Sequence, residues 1–219
     1  MGEIVLDVWA DVVCPWCYMA KRRLEAAISR SERPADVTVT YHAFELDPTT
    51  PVGTGESMLA HLARAHGSSA AEAREVAERA AIAARPDRIV MDIDALTRAN
   101  TFDAHRLVAL GLAMGGPALQ GAVLERFYAG VFAEGRALDD HAVLQRLGAE
   151  AGLDERRVSA VLAGEEYGDH VRTDERDAAE LGVTGVPFTV ADRRLSVHGA
   201  VPVETLVELI AAVSAPARP

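Results

Sequence analysis

Cys14-Pro15-Trp16-Cys17 contains both cysteines of a 219-residue chain, and its flanks decide the fold. Before it, Ile4-Val5-Leu6-Asp7-Val8-Trp9 is an apolar, β-branched run of strand length. After it, Cys17, Ala20, Leu24, Ala27 and Ile28 recur at helical steps, which predicts a helix from about Pro15 to Arg30. Pro15 suits the first helical position, where its missing N–H would have had no partner. Cys14 is therefore expected at a strand-to-helix turn, beside free N–H groups and the positive end of the helix dipole. Both favour the thiolate, the form that reacts. Cys17, one turn later, falls on the apolar face within bonding reach of Cys14. This is the layout of a redox dithiol.

Two other readings compete. A zinc site would need further ligands, and His61 and His66 have an H-x₄-H spacing. Five residues along a helix turn the side chains roughly 140° apart, which disfavours a shared metal. The segment between Cys17 and His61 is also long for such a site, and no metal or other cofactor is expected. Alternatively, two buried cysteines could simply pack as small hydrophobes. The order of strand, turn, proline and amphipathic helix favours redox chemistry.

Apolar residues make up 49% of the chain and charged residues 25%, a globular composition. A net charge of −11 argues against a nucleic-acid surface, which needs a basic face. No apolar run is expected to reach the length of a membrane span, about 18 residues. Met1-Gly2-Glu3 leads straight into the first strand without a basic or cleavage-type segment, so a cytoplasmic location is expected. There a dithiol is more often catalytic than structural.

Val37 to Phe44 alternates as a second strand, completing a βαβ unit. The turn-rich Phe44-Glu45-Leu46-Asp47-Pro48, with Gly53 and Gly55 beyond, leads out of the sheet. From Glu56 to about Glu166 the pattern is helical. One helix is expected from Glu56 to His66, and another from Ser69, with Glu72 completing a capping box. Ile89-Val90-Met91 forms a loop or short strand. A helix from near Asn100 should end at Gly115-Gly116, and a second should follow Pro117. Asp140 and Asp154 are expected caps. The sheet pattern returns after a helix from about Gly168 to Leu181. Val183 to Val190 and Leu195 to His198 read as a hairpin, closed by an amphipathic helix from Val203 to Val213. Pro216 and Pro219 are expected to mark a frayed end. Pro187 interrupts the hairpin's first strand. A strand-start proline and a cis Val186–Pro187 bond both fit the local sequence.

Together these residues resemble the DsbA-like branch of the thioredoxin superfamily, which joins a C-P-x-C helix to a helical insertion and a G-V-P hairpin. More narrowly, Asp11 to Tyr18, Lys21 to Leu24, Phe44 to Pro48, Asn100-Thr101, Ala104 to Leu107 and Gly182 to Phe188 resemble the FrnE-like proteins. The resemblance implies an α/β thioredoxin-like fold with an inserted all-helical domain. Residues 1–52 and 170–219 would form the thioredoxin-like domain and 53–169 the insertion. It further implies an attacking Cys14, a resolving Cys17 and a cis Pro187, with Pro15, Trp16 and Val186 facing substrate.

The implied activity is thiol–disulfide exchange with a thiol or disulfide partner, protein or small molecule, glutathione among them. The histidine that strongly oxidising DsbA proteins carry between their cysteines is absent, and Asp11 lies close upstream. A nearby negative charge raises a thiol pKa, so a more reducing pair is expected. Similar insertion architectures occur in kappa-class glutathione transferases and 2-hydroxychromene-2-carboxylate isomerases, which usually carry serine in place of the first cysteine. The intact pair counts against that alternative; a binding module with a vestigial dithiol is the third reading. His105, in the family-like Ala104-His105-Arg106-Leu107 segment, is expected near the cleft between the lobes, where its imidazole could exchange protons with the thiols.

Overall fold

The computed structural model describes residues 3–214. β1 (Ile4–Ala10) runs parallel to β2 (Val37–Ala43), with α1 (Pro15–Arg30) as the crossover. β3 (Phe188–Ala191) lies antiparallel on the other side of β1, and β4 (Leu195–His198) pairs with β3. The sheet order is β2-β1-β3-β4. Between β2 and β3 come α2 (Met58–His66), α3 (Ala70–Ala84), α4 (Phe102–Phe132), α5 (His141–Glu150), α6 (Glu155–Ala163) and α7 (Gly168–Glu180). α8 (Val203–Ser214) follows β4 and packs on α1. The fold is a thioredoxin-like mixed sheet joined to a large helical region. Pro216 and Pro219 lie outside the described residues.

Strand alternation sorts the core. Ile4, Leu6, Val8 and Ala10 of β1 enter the main apolar cluster, which continues through α1 and α4 into α5 and α6. Trp9, one residue out of phase, joins Ala178, Val183 and Phe188 on the opposite face. Each fully buried large apolar side chain contributes about 1.5–3 kcal/mol, so this shared core ties the helices to the sheet.

The capping chemistry acts locally. Ser69 and Glu72 form the reciprocal box at the start of α3. The carboxylates of Asp140 and Asp154 accept first-turn N–H groups of α5 and α6. α2 ends at Gly67, whose φ of 60° requires the left-handed region. It begins at Met58 rather than Glu56, because residues 56–58 pair through their backbone with 96–98: Arg98 N–H donates to the Glu56 carbonyl at 2.8 Å and Met58 N–H to the Leu96 carbonyl at 2.9 Å, about an antiparallel Ser57–Thr97 bridge. The segment at Ile89-Val90-Met91 is a loop.

α4 corrects one expectation. It contains an 18-residue window of mean hydropathy 1.7, long and apolar enough by composition to cross a membrane. Here that apolarity serves the core. The helix is broken at Gly115 and Gly116, the latter at φ 65° and ψ −162°, just before Pro117. Beyond the break, Gln120 is fully buried against the edge strand. Its amide accepts the Tyr41 N–H at 3.0 Å and donates to the Tyr41 carbonyl at 2.7 Å, replacing the missing strand neighbour.

The C-terminal hairpin is shorter than the alternation suggested. β3 starts at Phe188, and residues 183–187 form the loop that leads into it. Pro187 has no N–H to donate to a ladder, and Gly182 at φ 73° turns the chain after α7.

Candidate active site

β1 delivers its C-terminal end to the turn at Asp11-Val12-Val13, which places Cys14 as the N-cap of α1 with Pro15 in the first turn. The Cys14 backbone is extended, at φ −91° and ψ 116°. Its N–H donates to the Asp11 carbonyl at 3.2 Å, and its own carbonyl accepts from the N–H groups of Cys17 and Tyr18. No acidic residue lies in the first turn of α1, so nothing there offsets the positive helix end.

Both cysteines are free thiols. At 3% and 2% exposure, solvent contact does not distinguish Cys14 from Cys17. The surroundings do. Cys14, Pro15 and Trp16 line a groove of about 450 Å³, whereas Cys17 faces the core behind them. Burial pushes the Cys17 thiol well above its ordinary pKa, and its hydrogen bond to Cys14 and the charge there push the same way. Burial and its neighbour thus both favour the neutral Cys17 thiol.

The other half of the site arrives from the C-terminal hairpin. The Val186–Pro187 peptide bond is cis. The Cys14 thiol donates to the Val186 carbonyl, with Sγ 3.9 Å from the oxygen. Pro187 is buried, and Gly199 N–H donates to its carbonyl at 2.8 Å. Cys14, Cys17, Pro15, Trp16, Val186 and Pro187 therefore meet at one end of the sheet.

His105 does not join them on the groove. It is buried, and its Nε2 lies 3.3 Å from Asp11 Oδ1, while Asp11 Oδ2 accepts the Leu46 N–H at 2.8 Å. It lies behind the groove wall, against the Asp11 carboxylate of the turn that leads into Cys14. The helix carrying His105 starts at Phe102, whose N–H donates to Asn100 Oδ1 at 3.1 Å. From there the imidazole points inward.

Asp11 does more here than its charge alone suggests. Its carboxylate joins the turn before Cys14 to both Leu46 and His105, and its carbonyl accepts from Tyr128 Oη at 3.3 Å. Lys21, one turn beyond Cys17 on α1, is buried between Glu25 and Glu125 at 2.6 and 2.8 Å. Its charge is already paired away from the thiols. Tyr18 stacks on Tyr128 at 4.8 Å and donates to Glu125 at 2.7 Å. Burial and the neighbouring carboxylate raise the phenol to about 12. Among the described residues no cluster of three or more His, Cys, Asp or Glu is arranged to hold a metal ion.

This geometry has known counterparts. The profile of the DSBA-like thioredoxin domain matches residues 5–211. A crystal structure of a probable DsbA oxidoreductase from Streptomyces coelicolor superposes with a TM-score of 0.92 at 35% identity, covering 99% of this chain and 92% of that one. The cytosolic disulfide reductase DsbM from Pseudomonas aeruginosa, solved with glutathione, gives a TM-score of 0.65 at 24% identity, covering 96% and 100%. A 2-hydroxychromene-2-carboxylate isomerase gives 0.62 at 20%, covering 96% and 94%; at these lower identities the likeness is one of fold. A search of curated proteins found no match. With the profile spanning nearly all of its length, the chain belongs to the DsbA-like thioredoxin family.

Proposed function

We propose that this protein is a FrnE-like thiol–disulfide oxidoreductase of the cytoplasm, working through the Cys14–Cys17 dithiol. The observation that carries the reading is the placement of the Cys14 thiol. It caps a helix N-terminus, faces a groove, and lies against the Val186 carbonyl of the proline loop. In this reading the Cys14 thiolate attacks a substrate disulfide and expels one thiolate. Cys17 then gives up its proton and attacks Cys14 Sγ, releasing the second thiol and leaving an intramolecular disulfide. Pro15, Trp16, Val186 and Pro187 flank the reacting sulfur, and His105 steadies Asp11 behind it. The division of the chain at residues 52 and 169 is architectural in this account, because one apolar core crosses it.

Cytosolic DsbM, which is described as a disulfide reductase, shows that this fold can carry a reducing dithiol in the cytosol. Its structure with glutathione also makes that tripeptide a candidate partner. A 2-hydroxychromene-2-carboxylate isomerase shares the fold, but glutathione-dependent isomerisation as the activity of this chain would leave Cys17 without a task.

Catalysed reduction of insulin by dithiothreitol tests the activity. The wild-type protein should speed precipitation of the insulin B chain, and the variant carrying both Cys14→Ser and Cys17→Ser should match the protein-free rate. Equal rates for the two proteins would refute the reading.

A further inference from the structure

The groove beside Cys14 has a composition that narrows the substrate. One wall is the cysteine turn; the opposite wall is α2 and α3, where Met58, Leu62, Ala77 and Ala80 face it. The space exists because α3 presents alanines: Ala73, Ala77, Ala80 and Ala84 form its buried stripe, and a longer side chain at Ala77 or Ala80 would fill the void. Trp16, Leu46 and Val76 are large apolar side chains left substantially exposed, and all three border this groove. Its volume of about 450 Å³ falls in the range of about 300–1,000 Å³ usual for small-molecule sites.

Charge on the lining is sparse and of one sign. Arg79 is the lining's single charged side chain, and among the described residues no carboxylate pairs with it. Thr97 Oγ1, also in the wall, is buried without a hydrogen-bond partner. Glutathione matches this poorly. It brings two carboxylates, an ammonium group and two amides, whereas the section of the groove beside Cys14 offers one cation and no anion; Asp47, His61 and Arg98 lie in the adjoining pocket.

We infer that the groove takes the apolar body of a small disulfide that also carries one carboxylate, the body lying between Trp16 and α3 and the carboxylate meeting Arg79. This deepens the proposed function and rests on it. Cys14 thiolate attacks the sulfur attached to the apolar acid, R–S–S–R′, forming Cys14–S–S–R and releasing R′–S⁻. Cys17 deprotonates, its sulfur bonds to Cys14 Sγ, and R–S⁻ leaves. Two electrons pass from the dithiol to the substrate, and the two thiol protons end on R–SH and R′–SH.

The test compares three disulfide probes on the reduced full-length protein: 5,5′-dithiobis(2-nitrobenzoate), apolar with a carboxylate on each half; 4,4′-dithiodipyridine, apolar and neutral; and glutathione disulfide, polar. Each oxidation rate is divided by that of N-acetylcysteine with the same probe, which removes intrinsic reactivity. The normalised rate for the nitrobenzoate probe should exceed that for glutathione disulfide by about tenfold or more, the effect of burying a few apolar groups. Arg79→Gln should lower the nitrobenzoate rate roughly three- to tenfold, the strength of a charge-assisted contact, and leave the dithiodipyridine rate unchanged. Arg85→Gln, the same charge change outside the lining, should alter neither. Ala80→Leu should slow both aromatic probes and leave Cys14 alkylation by iodoacetamide unchanged; Ala77→Leu serves if the first variant is unstable in urea. Equal normalised rates for all three probes, or a rate indifferent to Arg79 and to groove filling, would overturn the inference. If no probe converts the pair to a disulfide, the proposed function itself has failed, and the two failures are thereby distinguished.

Discussion

Cys14→Ser is expected to remove disulfide exchange altogether, lowering the rate roughly a thousandfold or more, because loss of a nucleophile leaves no group able to form the mixed disulfide. Cys17→Ser should behave differently. Cys14 borders the groove and contacts the Val186 carbonyl, so it can still attack. The serine cannot resolve the product, and a covalent Cys14–substrate disulfide should accumulate. The difference follows from the surroundings of the two thiols. Burial holds Cys17 protonated, and the hydrogen bond to Cys14 adds to that effect. Cys14 should also be the first thiol alkylated in the reduced native protein. Peptide mapping after iodoacetamide, and intact mass after exposure of Cys17→Ser to a disulfide, check both outcomes. Faster alkylation of Cys17 would reverse the assigned roles.

The second large effect concerns stability and lies away from the thiols. His42 joins three elements: Nδ1 lies 2.9 Å from Asp174 of α7 and Nε2 lies 2.9 Å from Asp7 of β1, while its ring stacks on Trp9 at 4.6 Å. His170 approaches the same Asp174 at 3.7 Å. Burial alone would lower the His42 pKa, but the hydrogen bonds and charges of Asp174 and Asp7 outweigh it and raise the value from 6.5 to about 9. The folded state thus binds this proton more tightly than the unfolded chain. Its stabilisation is complete below about pH 6.5, declines as pH rises, and is lost above about pH 9. A shift of this size corresponds to on the order of 3 kcal/mol. Urea unfolding of wild type and His42→Asn should therefore differ most near pH 6, and the gap should close by most of that amount near pH 9.5. A gap independent of pH would mean that His42 is not charged in the fold.

What the sequence revealed and what it concealed follow from range. α1 runs over the residues expected of it because Pro15 and the spacing of Cys17, Ala20, Leu24 and Ala27 are local signals. The Ser69–Glu72 box and the Asp140 and Asp154 caps are likewise complete within one turn. The His42 network is different. Asp7, His42 and Asp174 are far apart in the chain, and no local period links them. Gln120 looks like a polar interruption in an apolar helix until β2 is placed beside it. His105 was legible as a residue of interest, but its direction depends on how α4 packs behind Asp11. A cleft beside the thiols was legible, but the lining and volume of the groove were not. The groove consists of space left by Ala77 and Ala80, residues whose sequence signal is simply helix propensity.

Cys14 and Cys17 are expected to form a reversible two-electron couple. Equilibrating the protein in glutathione buffers of graded potential, quenching with acid, and counting alkylated thiols by mass tests it without any choice of substrate. Lys21 of α1 is paired with Glu25 and Glu125, and the Asp11 carboxylate lies behind the turn that carries Cys14. One transition between dithiol and intramolecular disulfide is expected, with a midpoint well below the roughly −120 mV of DsbA. A pair that remains as two free thiols across the whole range, or that ends as two separate glutathione adducts, would contradict it.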